Sequence, residues 1–183
     1  MQLTRKERVM DSAAPDRHRL IVWNDPVETA AQALALPGLE FLHRVTSGLI
    51  PAAPVAQLVG LRSTYVMPGR VVFEYEPREE HYNALGAVDS GILTTVLDSA
   101  MAAAAQSLLA ADFGLATVEL RTSFVRPVTL ASGPLRAEGV VVHSGSRLST
   151  AEAKLVDASG RLHASASSTA LVLPNEHKLP LAA

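Results

Sequence analysis

The pattern of apolar positions sets one long segment, residues 88–111, apart from the rest of the chain. The segment is rich in Ala, Leu and Met, which favour helices, and it is apolar on nearly every side. A helix of this kind is expected to be buried all round. Between Ser90 and Ala111 the only ionisable side chain is that of Asp98. A lone carboxylate in an apolar helix costs desolvation free energy unless something pairs with it, so Asp98 is the first candidate for a functional group.

Two strand-like segments precede this helix and four follow it, and turn residues separate them. The predicted strands are Gln57–Tyr65, Arg70–Glu76, Ala116–Val125, Leu135–His143, Leu148–Asp157 and Leu162–Leu173. In the third of them, alternation puts Val118, Leu120 and Phe124 on one face and Thr117 on the other. Short connections predict antiparallel pairing. The expected fold class is α+β, with an antiparallel sheet of five to six strands curled around the long helix.

A helix-start pattern stands near the N-terminus. Asp25 is suited to cap a helix, Pro26 to occupy its first position and Glu28 to complete the first turn. This helix is predicted to stop at Pro37, and a second short helix to stop near Gly48. Two short helices are therefore expected before the first strand.

These patterns divide the chain into three expected parts. Residues 1–54 are an N-terminal extension with two short helices, residues 55–174 are the main domain, and residues 175–183 are a C-terminal tail. Residues 1–24 mix charges with Ser and Pro and are expected to be loosely packed.

Composition narrows the functional classes. The chain has 183 residues, 48% of them apolar, which suits one domain with a substantial core. Its formal net charge is -2, so we expect neither a nucleic-acid partner nor a membrane partner. The absence of cysteine excludes disulfides and cysteine nucleophiles, and it fits a cytoplasmic location. No signal peptide is expected, and polar residues within residues 88–111 disfavour a membrane span.

Asp98 has two interpretations. As a functional group it would be a general base or a nucleophile, with its pKa raised towards the working pH by burial. As a structural group it would be a satisfied polar residue at a contact between helix and sheet, hydrogen-bonded to Thr94 or Thr95. Buried carboxylates are usually paired or functional, which favours the first interpretation.

The start of the long helix is a second candidate. Backbone N–H groups near Ser90 and Gly91 have no partner within the helix and could polarise a carbonyl group, as an oxyanion hole does. The alternative is an ordinary helix start with Asp89 as its cap, and local sequence favours that alternative.

The loop before the helix adds further polar candidates. Asn83 could orient a water molecule or a substrate carbonyl, although Asn is more often a turn former. His81 has no second histidine at metal-ligand spacing, and we expect no metal site. Asp89, His81 and Arg126 are candidate substrate contacts; the arginines of the later strands could meet phosphate groups, or could simply keep the surface soluble.

The sequence resembles the PaaI-like acyl-CoA thioesterases, a family with the hotdog fold. The resemblance rests on the spacing of His81, Asn83, Gly86, Asp89, Ser90 and Gly91, followed by Leu97-Asp98-Ser99-Ala100 and later by Phe124-Val125-Arg126-Pro127. It covers roughly residues 55–173. It implies a helix held inside a curled antiparallel sheet, the arrangement that the hydrophobic pattern also predicts.

The resemblance also implies roles for single residues. Asp98 stands at the position of the family's catalytic carboxylate, and Asn83 at that of an Asn that positions the water or the thioester. Ser90 and Gly91 match two glycines whose backbone N–H groups polarise the thioester carbonyl. Thr117 matches a Ser or Thr that reaches the site from the partner subunit in relatives, which are dimers or pairs of dimers.

Two positions depart from the family pattern. The family's His is replaced by Asp89, and the first Gly by Ser90. An ionised Asp89 would oppose negative charge in the transition state; a protonated one could donate a hydrogen bond, and a capping one would point away.

The expected function is that of a homodimeric or homotetrameric acyl-CoA thioesterase, which releases a free acid and CoA. An aromatic or medium-chain acyl group is among the options, and CoA is part of the substrate, so no separate cofactor is expected. The alternatives are a hotdog protein that binds acyl-CoA without turnover, a hotdog hydratase or dehydratase, and an oligomeric scaffold with a vestigial site.

Overall fold

The computed structural model describes residues 17–174; the predicted C-terminal tail, residues 175–183, and residues 1–16 lie outside the described residues. Two short 3-10 helices, Glu79–His81 and Leu130–Ser132, lie in connections. The α-helices are α1 (Pro26–Ala35), α2 (Gly38–Thr46), α3 (Pro54–Val59) and α4 (Ser90–Gln106). The strands are β1 (Leu61–Met67), β2 (Arg70–Tyr75), β3 (Phe113–Phe124), β4 (Leu135–Ser144), β5 (Leu148–Asp157) and β6 (Leu162–Pro174).

All six strands form one antiparallel sheet in the order β1-β2-β4-β5-β6-β3. The long helix α4 packs against its inner face, mainly on β4, β5 and β2. Val96, Leu97, Ala100 and Met101 of α4 are fully buried there. This arrangement confirms the expected hotdog fold, because the apolar helix supplies the core that the curled sheet encloses.

Small residues let α4 approach the sheet closely. Gly139 of β4 faces the backbone of α4 so tightly that a Cβ atom there would lie 2.2 Å from the carbonyl oxygen of Ala100. Its neighbour across the ladder is Ala153, which is also buried and small. The helix is not buried on every side, however, because Gly91 is exposed and Asp98 partly exposed in the single chain.

The segment around α4 differs from the expected boundaries at its C-terminal end. The apolar pattern of residues 88–111 predicts a longer helix than the structure has, since α4 ends at Gln106. The hydroxyl group of Ser107 donates to Ala104 O at 2.6 Å and accepts a hydrogen bond from the Gly69 amide at 2.7 Å. This link to the β1–β2 turn stands at the C-terminal end of the helix, and β3 begins at Phe113.

The N-terminal helices extend the core over the C-terminal half of α4. The Asp25 side chain caps α1 as expected, accepting a hydrogen bond from the Val27 amide at 2.8 Å. Phe41 and Leu42 of α2 pack in one cluster with Ala104 of α4. These helices therefore cover the end of α4 that lies away from its N-terminus.

A third helix, α3, occupies part of the segment where the first strand was expected. The prediction of a strand from Gln57 is wrong for its first half, since Pro54–Val59 is helical and β1 begins at Leu61. Pro54 is suited to the first helical position, and Gly60 ends the helix in the left-handed conformation with φ of 77°. A short apolar run does not distinguish these two structures by its periodicity.

A bulge in β3 changes which face Thr117 occupies. The register on β6 shifts between Thr117 and Glu119, so that Thr117 pairs with the buried Ala170 and Glu119 pairs with Thr169. The side chain of Thr117 therefore points to the inner face, the same face as Leu120. The predicted alternation, which put Thr117 and Leu120 on opposite faces, is wrong at this point.

Residues 17–24 form neither helix nor strand, and two of their arginines pair with the 3-10 helix Glu79–His81. Arg17 and Arg19 make ion pairs with Glu79 and Glu80, respectively, which lie 62 and 61 residues later in the chain. Leu20, Val22 and Trp23 in the same segment are nevertheless 86%, 73% and 60% exposed, which agrees with the expected loose packing. Among the described residues, no helix is both long and apolar enough to cross a membrane.

Candidate active site

Asp98 is partly buried on the third turn of α4, where the sheet edge leaves the helix open. Its Oδ1 accepts a hydrogen bond from the Thr117 hydroxyl at 3.3 Å. The hydroxyl groups of Thr94 and Thr95 donate instead to the carbonyl oxygens of Ser90 and Gly91, so they do not pair with the carboxylate as the structural interpretation supposed.

The surroundings of Asp98 favour its protonated form more than water does. Burial raises the pKa of the Asp98 carboxyl above its ordinary value, and the hydrogen bond from Thr117 offsets part of that rise. The structure shows no salt bridge to this carboxylate among residues 17–174. A half-buried carboxylate without a cation is suited to taking a proton from water.

The start of α4 carries an internal cap. Oδ1 of Asp89 accepts a hydrogen bond from the Gly91 amide at 2.8 Å, which is the capped helix start that the sequence favoured. One of the two amides predicted to polarise a carbonyl group is thus occupied by the protein's own carboxylate. The position of Asp89 is itself held, because its amide donates to the His81 carbonyl oxygen at 2.8 Å.

Asn83 shapes the loop that leads to the helix. Its Oδ1 accepts hydrogen bonds from the amides of Leu85 at 2.9 Å and Ala87 at 3.4 Å, and its backbone N–H donates to Ala87 O. The turn-forming interpretation of Asn83 therefore accounts for its oxygen. The side-chain nitrogen has no hydrogen bond to another side chain or to the backbone within residues 17–174, so it is the group that could contact a substrate.

His81 is 6% exposed and stacks on the ring of Tyr75. Its Nδ1 is hydrogen-bonded to the Tyr75 hydroxyl at 2.9 Å, and its Nε2 is buried without a partner among the described residues. Burial lowers the pKa of His81 below its ordinary value, so the ring is neutral near pH 7. The sequence pattern does not reveal Tyr75 as a partner of His81, because their contact depends on the 3-10 helix that carries His81.

Arg126 lies just beyond β3, on an exposed surface. Its guanidinium group donates to Leu162 O, and its amide donates to His163 O at 3.1 Å. These bonds tie Arg126 to the start of β6, and within residues 17–174 no hydrogen bond or ion pair joins it to the other predicted site residues.

Within one chain the predicted residues form two groups. Asp98 and Thr117 make the first, and Asp89, Gly91 and His81 make the second. Asp98 follows Gly91 by seven positions, so the two lie on the same face of α4 but about 10 Å apart along its axis at 1.5 Å per residue. No group of three or more potential metal ligands occurs in the described part of the chain.

The antiparallel sheet curled around one helix defines the protein as a member of the hotdog-fold class. The family model of the thioesterase superfamily matches residues 85–164, which include both groups of site residues apart from His81. Together with the solved structures described next, this match supports a thioester hydrolase. Comparison with curated proteins gives no match.

Solved structures of related proteins agree with this assignment. A phenylacetic acid degradation-related protein from Ralstonia eutropha JMP134 is 26% identical, with a TM-score of 0.65 over 70% of this chain and 97% of that protein. A thioesterase family protein from Silicibacter pomeroyi is 27% identical, with a TM-score of 0.65 over 72% of this chain and 98% of that one. A variant of the phenylacetic acid degradation protein PaaI from Thermus thermophilus is 26% identical, with a TM-score of 0.60 over 66% of this chain and 99% of that one.

Proposed function

We propose that this thioester hydrolase acts on acyl-CoA, with Asp98 as the general base or nucleophile. The observation that carries the proposal is the half-buried Asp98 carboxylate, which has a raised pKa and a single hydroxyl donor, Thr117, within residues 17–174. In the general-base route, Asp98 takes a proton from water while the water oxygen attacks the thioester carbon. The C–S bond then breaks, and the proton passes to the departing CoA sulfur, giving a free acid and CoA.

The thioester carbonyl would be polarised by the amides of Ser90 and Gly91 at the start of α4. A reacting carbonyl needs these donors near 3 Å from its oxygen and the attacking group near 3 Å from its carbon. The separation of about 10 Å between Gly91 and Asp98 in one helix is too long for both to serve one thioester. The amides of one subunit and the carboxylate of another therefore make up each site.

We propose a homodimer because each site needs groups from two subunits and because β3 exposes apolar side chains at the edge of the sheet. This strand is an edge of the sheet; its residues Val118 and Phe124 are 56% and 47% exposed, and Val125, which follows it, is 53% exposed. An apolar edge strand is suited to pairing with a second copy. Thr117 contacts Asp98 within one chain, so the role of Thr117 as a residue from the partner subunit is not needed. Light scattering on the purified protein tests for a dimer or tetramer.

Release of free thiol from a panel of acyl-CoA esters tests the proposed function. Two of the similar structures are proteins of phenylacetic acid degradation, so phenylacetyl-CoA belongs in the panel beside acetyl-CoA and hexanoyl-CoA. We expect turnover of at least one of them. If no CoA ester releases thiol while acyl esters of other thiols do, the substrate is not an acyl-CoA.

Replacing Thr117 with Val is expected to shift the acid limb of the pH profile of kcat/KM to higher pH. The Thr117 hydroxyl donates to Asp98 and so holds the pKa of that carboxyl lower than burial alone would. Removing the donor raises that pKa, and the base is then protonated at pH values where the wild type is active. The measurement is kcat/KM from about pH 4 to about pH 9, a range that brackets ordinary and raised carboxyl pKa values.

The matched control for this variant is Ser99→Ala. Ser99 neighbours Asp98, but its hydroxyl donates to Thr95 O at 2.8 Å rather than to the carboxylate. The acid limb of the kcat/KM profile of Ser99→Ala should coincide with that of the wild type. A Thr117→Val profile that also coincides with the wild type would show that Asp98 does not set the acid limb.

Replacing Asp89 with Asn is expected to raise kcat/KM. The Asp89 carboxylate occupies the Gly91 amide and would oppose negative charge on the thioester oxygen. A neutral Asn caps the helix about as well but is a weaker acceptor, so the substrate displaces it more easily; the difference of about 1 kcal/mol predicts a rise of roughly threefold to tenfold. Steady-state kinetics at about pH 7.5, a working value above ordinary carboxyl pKa values, checks this.

Asp89→Ala serves as the second variant, since it removes the cap altogether. It should also raise kcat/KM, while lowering stability by about 1 kcal/mol. A fall in kcat/KM in both variants would instead assign Asp89 a positive part in binding or orienting the substrate.

A further inference from the structure

Arg19 makes three hydrogen bonds that join the N-terminal segment to two other parts of the chain. Its Nη1 donates to Glu80 Oε1 at 3.0 Å and to Leu58 O at 3.1 Å, and its Nη2 donates to Gln57 O at 3.0 Å. The two carbonyl groups belong to the last turn of α3, where helical carbonyls lack partners within the helix. The Arg19 side chain is 26% exposed and that of Glu80 is 46% exposed.

Glu80, the acidic partner, belongs to the 3-10 helix that carries His81. This helix is closed by hydrogen bonds from the amides of His81 to Arg78 O at 3.1 Å and of Tyr82 to Glu79 O at 3.0 Å. The pKa of the Glu80 carboxyl lies below its ordinary value, first because of a backbone hydrogen bond and then because of the hydrogen bond from Arg19. Glu80 is therefore ionised at neutral pH and makes a charge-assisted bond with Arg19.

The same short helix is fastened to the start of α4. The His81 carbonyl oxygen accepts the hydrogen bond from the Asp89 amide, and Asp89 caps the Gly91 amide. A change in the position of residues 79–81 would therefore move the backbone at the helix start. The stacking of His81 on the fully buried Tyr75 keeps the other side of this helix against the core.

We propose that Arg19 is a positioning residue of the thioesterase. Through Glu80 and the 3-10 helix, it fixes the backbone at the start of α4 where the thioester carbonyl is polarised. The expected effect on kcat rests on the proposed function. The expected effect on the position of residues 79–81 rests on the hydrogen bonds alone. Residues 17–24 are then part of the active-site support, although they lie outside the region that the thioesterase family model matches.

Arg17 provides a matched comparison within the same segment. It pairs with Glu79 at 2.9 Å, but the two side chains are 68% and 57% exposed. Exposed pairs of this kind contribute little free energy. Arg17 also makes none of the bonds to the end of α3, so its loss should leave the position of residues 79–81 unchanged.

The experiment compares Arg19→Ala, Glu80→Gln, the double variant and Arg17→Ala in the full chain. With the best substrate among acetyl-CoA, hexanoyl-CoA and phenylacetyl-CoA, Arg19→Ala should lower kcat about tenfold with KM nearly unchanged, since sub-ångström misplacement has effects of this size. Glu80→Gln should lower kcat in the same direction, and the double variant should be no worse than Arg19→Ala, because both act through one link. Arg17→Ala should match the wild type.

Hydrogen exchange gives a readout that needs no substrate. In Arg19→Ala the amides of residues 81–92 should exchange faster than in the wild type, while those in the middle of α4 should not change. Equal exchange and equal kcat in Arg19→Ala and Arg17→Ala would overturn the proposal. Faster exchange without any turnover of acyl-CoA by the wild type would support the structural link and refute the proposed function instead.

Arg19→Lys keeps the test valid if the alanine variant unfolds. Lysine retains the charge opposite Glu80 but lacks the planar fork that reaches both α3 carbonyls and the carboxylate. It should fold and show part of the loss in kcat. Wild-type kcat and wild-type exchange in this variant would exclude a positioning role for the forked contact.

Discussion

Asp98→Asn is expected to lower kcat by about a hundredfold to ten-thousandfold, the range that a positioned general base contributes. Asn keeps the size of the side chain and can still accept the hydrogen bond from Thr117, but it cannot take a proton from water. The fold should persist, because no salt bridge in the described part of the chain depends on this carboxylate. Thiol release with the best acyl-CoA substrate measures the loss.

The control is Glu152→Gln, the same chemical change at an exposed position on β5. It should leave kcat within about twofold of the wild type, as surface substitutions usually do. Calorimetric titration with CoA should give similar affinities for the wild type and Asp98→Asn. A kcat for Asp98→Asn within threefold of the wild type would remove Asp98 from the chemical step.

Gly139→Ala is expected to cause a large loss of stability. The new Cβ would lie 2.2 Å from Ala100 O and 2.8 Å from the Met101 nitrogen, both backbone atoms of the central helix. Because backbone cannot move aside as a flexible side chain can, the helix must shift away from the sheet. We expect a cost of about 3 kcal/mol, the upper end for an overpacked core, and a fall in Tm of roughly 6 to 12 °C.

Gly114→Ala is the matched control for this substitution. Gly114 also lies in a strand, and a Cβ there would meet only Leu34 Cδ2, at the ordinary contact distance of 3.8 Å. Its Tm should stay within about 2 °C of the wild type. Calorimetry on both variants checks the difference, and similar Tm values would mean that α4 and β4 can separate without cost.

Much of the fold follows from local patterns in the chain. The run of apolar residues predicts α4, and the cap at Asp25 predicts the start of α1, because both depend on neighbours within a few residues. The exception is α3, where a short apolar run between Pro54 and Gly60 fits a helix or a strand equally well.

The candidate site was predictable in its residue types but not in its contacts. Asp98 stands out because it is a single carboxylate in an apolar helix, and the sequence alone shows this. Its partner does not stand out in the same way, since alternation along β3 points Thr117 away from the helix. The bulge that reverses Thr117 arises from the pairing with β6, about fifty residues further along the chain.

The sequence by itself determined the class of fold, the central helix and its one carboxylate, because helix formation and burial follow from composition and spacing along the chain. Only the tertiary structure decided that Thr117 meets Asp98 and that Arg19 holds Glu80, whereas the cap that Asp89 places on the Gly91 amide is the one that local sequence favours. The contacts of Thr117 and Arg19 join residues that are distant in sequence, while that of Asp89 joins near neighbours. The distant contacts leave no periodic signal in the sequence, because they are set by how the packed elements meet.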